Sequence, residues 1–284
     1  SDGSSSGNLS SGGPVFSPDA GTVAFDSAAT NLTTQTDDNN ANDNFVWTFA
    51  SVTGGTLVVP GTEANDSISI TSDGTTATVV RNGQTLLFST ASVVRVSVSG
   101  LGGDDTIIST AFASVLGGGP GNDSIVGSGF GDNLNGGQGN DTLQANFGPD
   151  TLNGGVGDDV LRAGKGFDLA MGGDGNDSLI GGLGNDTLIG DAGNDTLDGG
   201  DHDDLLDGGD GFDLLVGGPG NDQLLGGAQG DTLGGGQGND AIFGGRGHDL
   251  LTGGAGNDLL AGEEGDDILL GADGFIDTLQ GGLG

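Results

Sequence analysis

The chain has 284 residues, 65 of them glycine, and 41 acidic residues stand against five basic ones for a formal net charge of −36. Such a chain has no basic face for nucleic acid or an anionic membrane surface, and no apolar run approaches the ~18 residues of a membrane span. Cysteine is absent, which excludes disulfides and thiolate–metal frameworks, and with 32% apolar residues the composition by itself resembles that of a disordered chain.

The chain begins SDGSSSG, without an initiator Met, as a processed chain or a fragment would. Residues 1–52 are expected to form a β-rich N-terminal segment. GPVFSPDAGTVAFDS (13–27) has two short apolar strands around a Pro-Asp-Ala-Gly turn, the pattern of a hairpin. Together with NLTTQTDDNNANDNFVWTF it resembles one blade segment of bacterial β-propeller repeats, and a single segment cannot close a propeller. TDDNNANDN (36–44) reads as a solvated polar turn, the other reading being a calcium loop using Asp38 and Asp43.

Residues 53–100 read as strands. SISIT and VVRVSVSG alternate apolar and polar residues, as half-buried strands do. GTEANDSISI already carries Asp66 and Ile68 two residues apart, in the relation that dominates the rest of the chain. A cap that covers the open edge of a first solenoid coil is the expected role of this region.

From Gly118 a nonapeptide G-G-x-G-x-D-x-U-x repeats, with U a large apolar residue. Its aspartates are Asp123, Asp132, Asp141, Asp150, Asp159, Asp168, Asp177, Asp186, Asp195, Asp204, Asp213, Asp222, Asp231, Asp240, Asp249, Asp258 and Asp267, spaced by nine without a miss. Leu or Ile follows each by two positions, except at Ala170. Backwards, Ser114 with Leu116 is a degenerate copy and Asp105 with Ile107 a good one; forwards, one residue is inserted before Asp277 and Leu279.

This repeat resembles the RTX (repeats-in-toxin) family of secreted bacterial proteins, over roughly residues 100–280. The resemblance implies an all-β fold: a calcium-stabilised parallel β-roll, a right-handed solenoid with two nonapeptides or 18 residues per turn, occupying 101–284. It also implies calcium between consecutive turns and an extracellular or cell-surface location.

The residues themselves lead the same way. The x-U-x triplet is a very short strand that sends only U inward, and the hexapeptide GGxGxD reverses the chain through glycines able to take positive φ. Ordering nine residues costs ~13 kcal/mol, whereas burying one Leu returns only ~2–3 kcal/mol. Stacked turns also bring aspartates to a strand spacing of ~4.8 Å, where like charges repel. A hard divalent cation reverses the sign of that repulsion, and calcium accepts six to eight carboxylate and carbonyl oxygens in irregular geometry. Two columns follow. Asp105, Asp123, Asp141, Asp159, Asp177, Asp195, Asp213, Asp231, Asp249 and Asp267 lie on one edge, the remaining repeat aspartates on the other. Up to about sixteen between-turn ions are then expected, the first in doubt because of the weak 109–117 coil, and they would cancel most of the −36 charge.

Several loops depart from the pattern. Phe130, His202 and Gln229 replace the fourth-position glycine, and ANFGPD (145–150) lacks the first two. Asp158, Asp203 and Asp266 read as solvated turn residues, and His202 and His248 as surface turn residues. HExxH and GxSxG motifs are absent, and the regular spacing of the carboxylates assigns them to calcium rather than to an acid–base pair. The expected function is non-enzymatic: a self-assembling structural subunit of a filament, sheath or surface layer, folded by calcium after secretion. The alternative is the secretion and folding module of a larger exoprotein. Outward positions turn apolar towards the C-terminus (Phe243, Leu250, Leu259, Ile268, Leu270), which suits lateral self-association. A head-to-tail contact, in which Ser1-Asp2 of one copy completes GGLG (281–284) of another, is a second expectation.

Overall fold

A computed structural model describes residues 15–16, 23–24, 49–271 and 277–282. Asp38, Asp43, both chain ends and most of the blade-like segment lie outside the described residues. Of that segment, β1 (Val15–Phe16) and β2 (Val23–Ala24) pair antiparallel across the Pro-Asp-Ala-Gly stretch.

The rest is a two-sheet solenoid. After β3 (Ser51–Thr53) come β4 (Thr56–Thr62), β5 (Ser67–Ser72), β6 (Thr76–Arg81), β7 (Gln84–Ser89), β8 (Arg95–Leu101) and β9 (Thr106–Ser109). From β10 (Ser114–Pro120) to β28 (Thr278–Gln280) successive strands alternate between two 13-stranded sheets. From β10 onwards each strand pairs in parallel with the next but one, in a register that advances by one coil. Leu179 opposes Leu197 in one sheet and Leu188 opposes Leu206 in the other, a step of 18 residues.

Alternation sends one large apolar side chain per strand inward. Leu116, Leu134, Leu152, Leu188, Leu206, Leu224, Ile242 and Leu260 form one buried file, and Ile107, Ile125, Leu143, Leu161, Leu179, Leu197, Leu215, Leu233 and Leu251 form the other. The core is therefore one side chain deep from each sheet. Ala170 leaves the first file thinner at its coil.

The strands are longer than the triplet expected from the sequence. Thr187–Ala192 spans the triplet and the first three positions of the next repeat, so only Gly193, Asn194 and Asp195 turn the chain before Thr196–Asp201. Pairing continues through the glycines, as Gly155 with Gly173 shows. The second-position glycine, at positive φ, bends the ladder without ending it (Gly155, φ +115°).

The N-terminal end is built differently. The antiparallel β3 covers the outer edge of β4, and the antiparallel pair β6 and β7 extends the other sheet beyond β5. β4 pairs in parallel with β8 and β5 with β9, so the ladder begins in this region.

Candidate metal centre

Each repeat aspartate closes a turn immediately before its strand and points into the seam between coils. The backbone N–H of Asp141 donates to Oδ1 of Asp159 at 2.7 Å, that of Asp159 to Asp177 at 2.7 Å, and that of Asp177 to Asp195 at 2.7 Å. The other edge repeats this with Asp186, Asp204 and Asp222 at 2.8 and 2.9 Å. One edge carries Asp105 through Asp267 unbroken, so the 109–117 coil does not interrupt it: Asp105 N–H reaches Asp123 at 2.7 Å. The other runs from Asp132 to Asp258, and the inserted residue is absorbed before Asp277, which accepts from Asp258 N–H at 3.1 Å.

One carboxylate oxygen is thus consumed by the fold. The other, Oδ2, is buried and accepts no hydrogen bond in any ladder aspartate from Asp141 to Asp249, nor in Asp105, Asp123 and Asp267. A buried, unpartnered carboxylate oxygen is costly and points to a missing partner. Burial is the chief cause that pushes the ladder carboxyls from Asp141 to Asp249 up, to about 7 in Asp141, Asp150, Asp195, Asp204 and Asp231. The hydrogen bond from the preceding coil opposes the rise, and the neighbouring ladder aspartates add to it.

The first-position glycine shapes the space around Oδ2. A Cβ added at Gly208 would lie 2.5 Å from Asp213 Oδ2 and 2.6 Å from the Gly226 carbonyl oxygen of the next coil. At Gly181 the same atom would lie 2.5 Å from the Gly199 carbonyl and 2.7 Å from Asp186 Oδ2. Each is a cradle bounded by carboxylate and backbone oxygen, the hard donor set that calcium takes at 2.3–2.6 Å. Among the described residues no three His, Cys, Asp or Glu side chains converge as a metal cluster. Backbone carbonyls would have to complete any coordination shell, and the turns supply them.

The match with known families agrees. The RTX calcium-binding nonapeptide repeat model matches residues 99–134, 135–170, 164–197, 171–206, 198–233 and 234–269. The chain belongs to the RTX calcium-binding repeat family. Its repeats are calcium-binding, and its parallel coils of 18 residues are an RTX β-roll. No curated protein was found to match the chain.

The glycines of the RTX turn divide their work. First-position glycines have ordinary φ and leave room for the carboxylate, whereas second-position glycines and most fourth-position ones carry positive φ, as at Gly182 (+113°) and Gly184 (+131°), Gly166 and Gly220 being exceptions. Where a side chain replaces them the strained φ persists, at Asn146 (+85°), Asp191 (+71°), His202 (+90°), Gln229 (+76°) and Glu263 (+71°). Phe130 does not follow, because its loop takes another path: Ser128 donates from its backbone N–H to Asp132 Oδ2 at 2.6 Å.

Two features escaped the sequence reading. Asp66 heads one ladder, donating its N–H to Asp105 Oδ1 at 2.7 Å. A second, exposed ladder runs through the fifth positions in the opposite sense: Asn176 N–H donates to Asp158 Oδ1 at 2.8 Å, and Asn194 N–H to Asn176 Oδ1 at 2.9 Å. Asp158 and Asp203 are therefore ladder members, held below the usual carboxylate range by hydrogen bonds from Asn176 and Asn221. His248 belongs to the edge of Asp158, its Nδ1 accepting from Asp266 N–H at 3.0 Å. The recurring Asn or Asp just before the ladder aspartate was the available signal.

Proposed function

We propose that the ladder aspartates, Asp105 to Asp267 on one edge and Asp150 to Asp277 on the other, hold calcium through Oδ2 together with turn carbonyls. On this reading the chain is a secreted, non-enzymatic β-roll that folds on meeting extracellular calcium. The observation that carries it is that every ladder aspartate from Asp141 to Asp249 buries an Oδ2 without a hydrogen-bond donor. In calcium-poor surroundings those carboxylates repel and resist burial, which keeps the chain exportable. Where calcium exceeds the ~10⁻⁴–10⁻³ M Kd typical of extracellular sites, each filled site adds ~2.7 kcal/mol at a hundredfold excess.

We further propose that the loaded roll is a self-associating structural subunit. Leu214, Val216, Leu250, Ile268 and Leu270 are exposed on the outer face of one sheet towards its C-terminal end, Ile268 at 58%. Leu214, Thr232, Leu250 and Ile268 lie in register across successive strands, so the apolar residues share one row of the outer face, interrupted at Thr232. Calcium titration of the stripped chain, followed by far-UV circular dichroism and light scattering, tests both steps. A cooperative coil-to-β transition with rising scattering is expected. The transition without scattering would replace the structural subunit by a folding module of a larger exoprotein, and no transition would overturn the metal assignment.

A further inference from the structure

The two ladders do not begin as they continue. At Asp66, the head of the first, Oδ2 accepts from Thr62 N–H at 2.6 Å and from Thr62 Oγ1 at 2.8 Å, while Asn82 Nδ2 donates to Oδ1 at 2.5 Å. At Asp132, the first aspartate of the second, Oδ2 accepts from Ser128 N–H at 2.6 Å and from Ser128 Oγ at 3.0 Å. From Asp141 to Asp249 the same oxygen has no donor. Thr62 and Ser128 stand where the cradle is elsewhere bare.

The coils around these heads are also richer in core. Between Leu57 and Val98, Leu57, Val59, Ile68, Ile70, Ala77, Val79, Leu86, Val93, Val96 and Val98 are buried, whereas the repeats bury one large apolar side chain in nine residues. The antiparallel β3–β4 and β5–β6–β7 pairings are local in sequence and close without a long loop, which lowers the entropic cost of forming them.

We propose that the N-terminal coils, about Thr56–Leu101 together with the Asp132 turn, are completed by protein hydrogen bonds in place of metal, stay folded without calcium, and template the calcium-dependent coils. This rests on the ladder carboxylates being the calcium ligands. The polarity of the ladder gives the template its direction. A folded coil presents the N–H of its aspartate, and the coil that docks next in sequence brings the carboxylate to it, as Asp123 N–H receives Asp141 Oδ1 at 2.7 Å. Growth from the N-terminal coils therefore offers each incoming anion a waiting donor. The roll then lengthens towards the C-terminus as calcium fills each new cradle.

Hydrogen exchange on the full chain, stripped and then titrated with calcium, tests the order of folding. Peptides across Thr56–Leu101 are expected to be protected without calcium, and those from Thr151 to Asp267 only with it. Absence of any protected segment in the stripped chain, or protection appearing first in the C-terminal coils, would overturn the template. Calcium content of the loaded chain tests the heads independently. Asp132→Asn should leave it unchanged and Asp204→Asn should lower it. Equal losses in both variants would show that Ser128 does not replace the metal. No loss in Asp204→Asn would instead remove the calcium assignment on which this inference rests. Thr62→Val should reduce protection of Thr56–Leu101 in the stripped chain by about tenfold, the effect of a ~1.4 kcal/mol loss, and unchanged protection would count against the head at Asp66.

Discussion

The backbone N–H of Asp177 donates to Oδ1 of Asp195 in the next coil at 2.7 Å. Asp195 therefore has two separable roles, an acceptor that stitches coils through Oδ1 and an unpartnered Oδ2 facing the cradle. Asp195→Ala removes both and leaves the Asp177 N–H buried without an acceptor, at a cost of about 1–3 kcal/mol. Asp195→Asn keeps an amide oxygen for the N–H and removes the charge. At saturating calcium the Ala variant should lose hydrogen-exchange protection in its own and flanking coils only, as expected where each coil contacts just its neighbours. The Asn variant should keep its coils and need more calcium to fold. Uniform loss of protection along the whole roll in either variant would contradict local coupling.

Acidity should replace calcium in part. Burial raises the folded-state carboxyls to about 7 in Asp141 and Asp204 and to about 6 in Asp159, Asp186 and Asp240, well above the ordinary value of 3.8 for an aspartate. A raised folded pKa stabilises the fold fully below the unfolded value, and this contribution is lost as pH rises through the folded one. The metal-free roll should therefore gain β-structure from pH 8 to pH 5, over the span in which those carboxyls take up protons. The loaded roll should show the opposite trend, because protons compete with calcium. Circular dichroism of the stripped chain across that range is the check, and a pH-independent spectrum would argue against buried, desolvated carboxylates.

The first-position glycines should govern metal rather than backbone strain. Gly208 lacks positive φ, and an added Cβ would stand between Asp213 Oδ2 and the Gly226 carbonyl. Gly208→Ala should remove about one bound ion and leave neighbouring coils folded. Two turns already carry the methyl group, at Ala145 and Ala163, both fully buried. Ala163→Gly should therefore tighten calcium binding at the Asp168 turn, which direct titration would show as a lower midpoint for that coil. Unchanged calcium content in Gly208→Ala would mean that the cradle is not where the ion sits.

The nine-residue spacing and the RTX resemblance it carries made the coil length and the two-sheet roll legible in the sequence, and the alternation within each repeat made the single-file core legible. It could not say which carboxylate oxygen does what, since that depends on where the previous coil places its N–H. Asp66 was noticed but not joined to Asp105, 39 residues on, because the β6–β7 hairpin is inserted between them and breaks the period. Thr62 and Ser128 gave no signal either, as a local hydroxyl donor has no repeat. The strand length was underestimated because glycine normally ends a strand, whereas here the ladder passes through glycines at positive φ.

Fourth-position glycines serve two demands that one substitution can separate. Gln229 holds a φ of +76° where Gly211 and Gly247, one coil away on either side, hold +158° and +144°. A left-handed conformation costs a non-glycine residue about 1–2 kcal/mol, partly offset by the greater unfolded-state freedom of glycine. Gln229→Gly should raise the stability of the loaded roll by about 0.5–1 kcal/mol, seen as a rise in Tm of about 1–4 °C. The neighbouring Gly247→Ala should destabilise it instead, because the added Cβ would collide with the Gln229 carbonyl oxygen. A neutral Gln229→Gly with a damaging Gly247→Ala would assign the fourth-position glycine to close approach between coils rather than to its φ. A stabilising Gln229→Gly would show that the strained turn is a cost this coil carries in exchange for nothing the ladder uses.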